Sequence, residues 1–362
     1  MNRLFLSKIN KQLKKERPIL NNEIICTYYY EKNYLEISFE NGQCSYDMQG
    51  TCTMCDYGIA TYKEDVSVFI DEMLHIYNSF SEIDTLMLCT NGSFLDDKQL
   101  PFEFQREIMI EASKLPCKTI IIESHYTTIT DAKLQLIKDI FWAKSIKIEL
   151  GLETTNIMYQ EYILNKKINT SQIEYVIKRI HHYGYTPIIN LLIGLPFLNE
   201  KEQIDDVLTS IAWCMENETE IVLFPINIKP YTLIYYLYEN NLYTPISQWM
   251  IIYILSLVEE SYLSKIDIAY WGNRDESYID KKVIFPSCCS QCYPKIHDFY
   301  YKYLLTENSK ERKKYINALM ENIPCNCFQL FRQELTISPV ENIEKRLKKF
   351  YIRLEYEFGD NK

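Results

Sequence analysis

The chain has 362 residues, 47% of them hydrophobic and 24% charged, a balance of ordinary globular proteins that excludes disorder over most of its length. A net charge of -10 with a pI near 5.2 excludes nonspecific coating of nucleic acid, which rests on neutralising phosphates. No N-terminal stretch has the order of a signal peptide, and the longest apolar run, WMIIYILSLV, is too short to cross a bilayer, so the sequence predicts a cytosolic protein with no membrane partner.

The chain opens on a lysine-rich stretch with Lys8, Lys11, Lys14, Lys15 and Arg17, read as a solvated helix face, as are Lys345, Arg346, Lys348, Lys349 and Arg353 near the other end. Strand-like YLEISFE follows, then a loop with three cysteines, CSYDMQGTCTMCDYG, and the amphipathic VSVFIDEMLHIYNSF. The alternation continues: DTLMLCT with FEFQREIMIEASKL, KTIIIES with DAKLQLIKDIFWA, SIKIELGLE with SQIEYVIKRIHHYG, TPIINLLIG with QIDDVLTSIAWCME, and EIVLFPIN with LIYYLYENN. Six strand and helix units in strict order imply parallel strands joined by right-handed crossovers. Their spacing predicts an α/β fold, a partial (β/α)6 barrel, over residues 35–262, with an N-terminal extension over 1–34 and a cysteine-containing region over 263–362.

A barrel keeps its chemistry at the C-terminal ends of its strands, and the unusual residues cluster there: the Cys44 loop, TNGSFLD, ESHY, GLETTN, GLPF and FPINIKP. A doubly wound sheet would place its ligand at the same ends, so the pattern predicts a site more firmly than one topology.

The twelve cysteines need a reducing-compartment reading, in which clusters hold metals and structural disulfides are rare. Cys26, Cys89, Cys117 and Cys214 stand singly in apolar surroundings and read as buried thiols. The others fall into Cys44, Cys52 and Cys55; Cys288, Cys289 and Cys292; and Cys325 with Cys327. C-x2-C with C-x-C supplies four thiolates, Cys289, Cys292, Cys325 and Cys327 with Cys288 to spare or Cys288 in place of Cys289, and suits a structural zinc that pins a region too small for its own core. An auxiliary iron–sulfur cluster is the competing reading.

The C-x7-C-x2-C spacing of Cys44, Cys52 and Cys55, together with CTMCDYG, NGSFLD, IIIES, GLETTN, LNKK, LLIGLPF and the terminal CNC, resembles the radical S-adenosylmethionine superfamily. The likeness is to the branch related to the Elongator catalytic subunit and the archaeosine synthase radical subunit family, over roughly residues 35 to 330. The resemblance implies that Cys44, Cys52 and Cys55 hold a 4Fe-4S cluster, whose open iron binds S-adenosylmethionine. Electron transfer from the cluster then splits the sulfonium to methionine and a 5'-deoxyadenosyl radical that abstracts hydrogen from substrate. It also implies that Met54 packs near the adenine, that Asn91, Gly92 and Ser93 bind the methionine ammonium, and that Glu123 and Glu153 accept from ribose hydroxyls or the amino group. Gly194 and Pro196 would let backbone approach the adenine, and Asn227 would complete the cofactor site.

A three-thiolate loop alone would suit zinc as well. The matching strand ends favour the iron–sulfur reading. Glu149 alternates with Ile148 and Leu150 to face the barrel interior, and His125 stands where relatives tend to have arginine. The expected reaction is cleavage of a lysine-modified deazaguanine in tRNA, with a reductant such as flavodoxin or ferredoxin. A peptide or small-metabolite substrate, or a metal-binding partner subunit without its own radical chemistry, is the alternative.

Overall fold

The computed structural model describes residues 3–15, 25–40, 44–56, 65–166, 168–269, 283–323 and 325–359. Its centre is an eight-stranded sheet with strands in chain order: β1 (Cys26–Glu31), β2 (Tyr34–Phe39), β3 (Thr85–Thr90), β4 (Thr119–Glu123), β5 (Ser145–Glu153), β6 (Thr186–Ile193), β7 (Glu220–Pro225) and β8 (Ile266–Ile268). Neighbours from β2 to β8 are parallel, and β1 joins β2 antiparallel. The hairpin between them turns at Lys32 and Asn33, both at positive φ (52° and 63°), the conformation a two-residue hairpin needs.

The described helices are α1 (Arg3–Lys14), α2 (Ser45–Met48), α3 (Val66–Asn78), α4 (Phe102–Lys114), α5 (Asp131–Ile140), α6 (Ile157–Tyr162), α7 (Thr170–His182), α8 (Glu200–Glu216), α9 (Leu233–Glu239), α10 (Gln248–Leu257), α11 (Tyr293–Leu305), α12 (Ser309–Glu321), α13 (Cys327–Glu334) and α14 (Ile343–Phe358). Short polar side chains start many of them: Thr130, Asn169, Thr232 and Asn342 each accept a backbone N–H of the first turn, and Asn199 forms a capping box with Glu202.

The period of two along the strands decides what each face becomes. Leu35, Ile37, Leu86, Leu88, Ile120, Ile122, Ile148, Leu150, Ile189 and Leu191 pack under the helices in one large core with Phe69, Met73, Ile108, Ile137, Ile177 and Val207. The residues between them face the other way, where Met87, Cys89, Ile121 and Ile188 form a small separate cluster. A parallel sheet covered by helices on one face, with its order ending at β1 and β8, is an open partial barrel, as the sequence predicts. β1 lies within residues 1–34 and β8 within 263–362, so both flanking stretches add a strand to the sheet. Cys26, Cys89, Cys117 and Cys214 are buried. Among the described residues, no helix is long and apolar enough to cross a membrane.

The turn after β5 is fastened to α8. Thr154 donates to Asp206 at 2.8 Å, and the Thr155 N–H donates to Ser210 Oγ at 3.0 Å. Burial lifts the Asp206 carboxyl from its ordinary 3.8 to about 6, against the opposing effect of the Thr154 hydrogen bond. The folded chain therefore holds this proton more tightly than the unfolded one. The stability so gained is full below about pH 4 and is lost as pH rises through about 6, by up to about 3 kcal/mol. Asp206→Asn is expected to flatten that loss, read as the difference between native and variant unfolding free energies from pH 4 to pH 7.

Candidate active site

The cysteine loop leaves the C-terminal end of β2. Cys44 caps α2, Cys52 sits at φ 59°, and the Cys55 N–H donates to the Cys52 carbonyl at 3.3 Å. All three thiols are partly buried and near enough to act on one another electrostatically. Burial raises each above the ordinary thiol value, Cys55 to about 12 with Cys52 adding to the effect.

Three other parts of the chain hold this loop. The Gly50 carbonyl accepts from Asn10 of α1 at 2.9 Å and from Asn165 at 3.2 Å. Thr53 donates its N–H to the Leu164 carbonyl at 3.0 Å and its hydroxyl to the Ile163 carbonyl at 2.8 Å. The Ile234 N–H of α9 donates to the Thr53 carbonyl at 3.3 Å. Gly50 has φ 72°, and a Cβ there would lie 2.2 Å from the Ser7 carbonyl oxygen, so no other residue fits. Lysines flank the thiols: Lys14 pairs with Asp47, Lys166 with Glu153, and Lys229 with Asp56 at 3.0 Å. Burial works against the Lys166 charge, but Glu153 and Cys52 outweigh it and hold its pKa above the ordinary lysine value.

The remaining strand ends gather at the same mouth. Asn91 donates to Glu40. Gly92 lies against the buried Gln99, whose Oε1 a Cβ would approach to 2.2 Å. Ser93 knits two strand ends together, its hydroxyl 2.9 Å from Ser124 Oγ and 3.0 Å from Thr128 Oγ1 while accepting the His125 N–H at 3.0 Å. Glu153 ends β5 at φ 71°, just past a register shift against β6. Pro196 is buried, and Asn227 after β7 has a buried Oδ1 with no partner. Met54 packs against the apolar cluster that also holds Leu195, Ile226, Leu6 of α1 and Phe350 of α14. His125 lies between Tyr46 of the loop and Tyr126, ring centroids 4.6 and 4.5 Å away, and burial then Lys166 lower its pKa to about 3. It is a packed, neutral imidazole.

The second cysteine group is built on other elements. Cys289 and Cys292 precede α11, Cys325 and Cys327 open α13, and their four sulfurs all lie within 4.8 Å of one another. Cys325 Sγ is 3.4 Å from that of Cys289 and 3.1 Å from that of Cys292. Cys288 points elsewhere, its thiol donating to Gln248 Oε1 at 3.0 Å. Cys44, Cys52 and Cys55 form no such compact set among the described residues.

Sequence reasoning missed Asn10, Lys14 and Lys229, because nothing in their local spacing marks them as neighbours of a loop formed elsewhere. The basic residues near the termini are also partly used inside the protein: Lys14 binds Asp47, and Arg346 binds Glu202 and the Phe197 carbonyl, whereas Lys349 pairs with Glu341 at the surface. Arg17 falls outside the described residues. Gly194 has φ 103° and its carbonyl accepts from Tyr243 Oη at 2.7 Å; a Cβ would meet that oxygen at 3.1 Å. Gly194→Ala is expected to destabilise the chain by about 1–3 kcal/mol through backbone strain, measured by denaturant unfolding.

No family model matches the sequence. An uncharacterised protein of Methanocaldococcus jannaschii is 27% identical over 278 residues, covering 72% of this chain and 76% of that protein. Archaeosine synthase subunit beta of Methanosarcina acetivorans is 23% identical over 313 residues, covering 84% of this chain and 85% of its own length. The protein of that name in Thermococcus kodakarensis is 26% identical over 229 residues, with 61% and 70% covered. The chain is thus similar in sequence to proteins named archaeosine synthase subunit beta, the family that its motifs resemble.

Proposed function

We propose that this chain is a radical S-adenosylmethionine enzyme whose cluster is held by Cys44, Cys52 and Cys55. The observation that carries the reading is the loop itself: three thiols, drawn together at a strand C-terminus, tied down by Asn10, Asn165 and Thr53, and flanked by Lys14, Lys166 and Lys229. Thiolates bound to iron carry negative charge, and partly buried lysines offset it. The orphaned Oδ1 of Asn227 and the glycine-only backbone at Gly194 suit a bound ligand at the mouth.

When bound, cluster and cofactor supply reductive cleavage of S-adenosylmethionine and a 5'-deoxyadenosyl radical for hydrogen abstraction. The chain's own residues position and shield. Glu153, fixed by Lys166, accepts hydrogen bonds from the cofactor; Met54, Gly194 and Pro196 form an apolar wall that excludes water; Asn91, Gly92, Ser93 and Asn227 complete the rim. The relatives' name supports a part in making archaeosine, for which the family resemblance implies a lysine-modified deazaguanine in tRNA as substrate, and the word subunit supports a working partner chain. Flavodoxin or ferredoxin would supply the electron, in the cytoplasm.

Cys289, Cys292, Cys325 and Cys327 are proposed to hold one structural zinc. Their spacing suits a single tetrahedral ion and is too tight for the four corners of an auxiliary cubane cluster.

Anaerobic reconstitution with iron and sulfide, then reductant and S-adenosylmethionine, is expected to yield 5'-deoxyadenosine by mass spectrometry, and Cys55→Ala to reduce it to background. The reading falls if the native chain binds zinc instead of iron at Cys44, Cys52 and Cys55. Metal analysis separates the two sites: Cys292→Ser is expected to lose zinc and keep about four irons per chain, while Cys55→Ala keeps zinc and loses iron. Added tRNA bearing the deazaguanine is expected to raise 5'-deoxyadenosine formation over the substrate-free rate.

A further inference from the structure

The basic stretches near the two termini, far apart in sequence, belong to one part of the fold. α1 and α14 sink their apolar faces into a single cluster, Leu6 and Ile9 from the first, Leu347, Phe350 and Leu354 from the second. The opposite face of each helix is exposed and basic. Lys8, Lys11 and Lys15 recur at the spacing of one helix face, and residues 3–15 contain no Asp or Glu. On α14, Lys345, Lys348, Lys349 and Arg353 form a second such stripe, and Tyr356 continues it with 84% of its surface exposed. Lys349 pairs with Glu341 and Arg353 with Glu357, but among the described residues no carboxylate pairs with Lys11, Lys15, Lys345 or Lys348.

Both helices are tied to loops at the strand ends. α1 reaches the cysteine loop through Asn10 on the Gly50 carbonyl and Lys14 on Asp47. α14 reaches the turn after β6 through Arg346 on the Phe197 carbonyl, with the Phe350 and Phe197 rings 4.3 Å apart. Tyr351 Oη donates to the Tyr162 carbonyl at 3.2 Å, just before the Ile163 and Leu164 carbonyls that hold Thr53. Both helices are net basic, so the rest of the chain is more acidic than its net charge of -10. Such a field repels a polyanion elsewhere and directs it to these two faces.

We infer that the exposed faces of α1 and α14 form a docking surface for the phosphate backbone of an RNA substrate. The inference rests on the reading of tRNA as substrate under the proposed function. An enzyme that acts on one base must hold the strand beside it, and phosphate contacts fix that register without reading sequence. An acidic protein would match the charge as well. Apart from Leu4 and Ile352, however, these faces lack the exposed apolar anchors of a protein interface, whereas Tyr356 offers a ring for base stacking.

A fluorescein-labelled, unmodified tRNA transcript is titrated with the full-length, iron–sulfur-reconstituted chain, and anisotropy gives the affinity from about 50 to about 200 mM potassium chloride. Native affinity is expected to fall steeply with salt. Lys11→Gln with Lys15→Gln, and separately Lys345→Gln with Lys348→Gln, are each expected to weaken binding about tenfold at low salt and to reduce the slope of log affinity against log salt by about two. Lys138→Gln with Lys178→Gln, at exposed positions of α5 and α7, is the control and keeps native affinity. Absent or salt-independent binding by the native chain, a folded test variant with native affinity and slope, or an equal loss in the control overturns the surface. So does native tRNA affinity in variants that lose affinity for poly-L-glutamate, which gives the faces to an acidic protein. The two test pairs stand on different helices, so one carries the test should the other fail to fold. Formation of 5'-deoxyadenosine without RNA is scored separately: its absence in a native chain that binds tRNA through these lysines sinks the radical reading and leaves the surface standing.

Discussion

The carbonyl of Gly50 is the point on which the site depends. It accepts from Asn10, forty residues back in the chain, and from Asn165, 115 residues on, and so locks the cysteine loop between α1 and the segment after α6. The approach is close enough that a side chain at Gly50 would strike the Ser7 backbone. Both amides come from parts of the chain remote in sequence from the loop. The thiols therefore take their places only in the folded chain, and the ordering cost is met before any cofactor binds.

Electrostatics follow from that confinement. Burial raises the three thiols above the ordinary thiol value, so the proposed cluster would have to expel their protons on loading. The charge then left in this partly desolvated loop would be offset by Lys14, Lys166 and Lys229, which stand around it. Each lysine is held by its own carboxylate, which fixes the ammonium where the thiolates need it rather than leaving it to roam in solvent. Glu153 is one of these carboxylates, so the residue that the family resemblance gives to the cofactor is also the one that positions Lys166 beside the cluster loop.

The parts of this arrangement legible in the sequence are those with local periodicity. Six strands and their helices follow from alternation and amphipathic spacing, and strand ends mark the mouth because a parallel sheet puts them all on one side. β8 has three residues, too few for a period, and the hairpin at Lys32 and Asn33 lacks the glycine that usually announces such a turn. LNKK could be matched as a motif, but its physical work could not: Asn165 adopts φ 52° and spends its amide on a carbonyl in the cysteine loop. The choice between Cys288 and Cys289 was likewise open until Gln248, on α10, took the Cys288 thiol. Tertiary partners of this kind leave no local trace.

The two cysteine groups are far apart in role yet joined by the chain's path. After α13 the Ile337 carbonyl accepts from Asn199 at 3.2 Å, and α14 then sends Arg346 to the Phe197 carbonyl and to Glu202. Phe197 lies three residues beyond Gly194, at φ 71°, in the turn that leads from β6 to α8. At its other end this segment starts from the four sulfurs, which fasten α11 and α13 beside α10, where Trp249 and Phe328 rings lie 5.2 Å apart. α14 then packs Leu347, Phe350 and Leu354 against Leu6 and Ile9 of α1. The C-terminal region thus works as a strap, anchored at the sulfurs and tied to the β6 turn and to the helix that holds Gly50. An ion at those sulfurs would shorten the strap's freedom at its root, and so steady both the glycine turn and the loop proposed to hold the cluster.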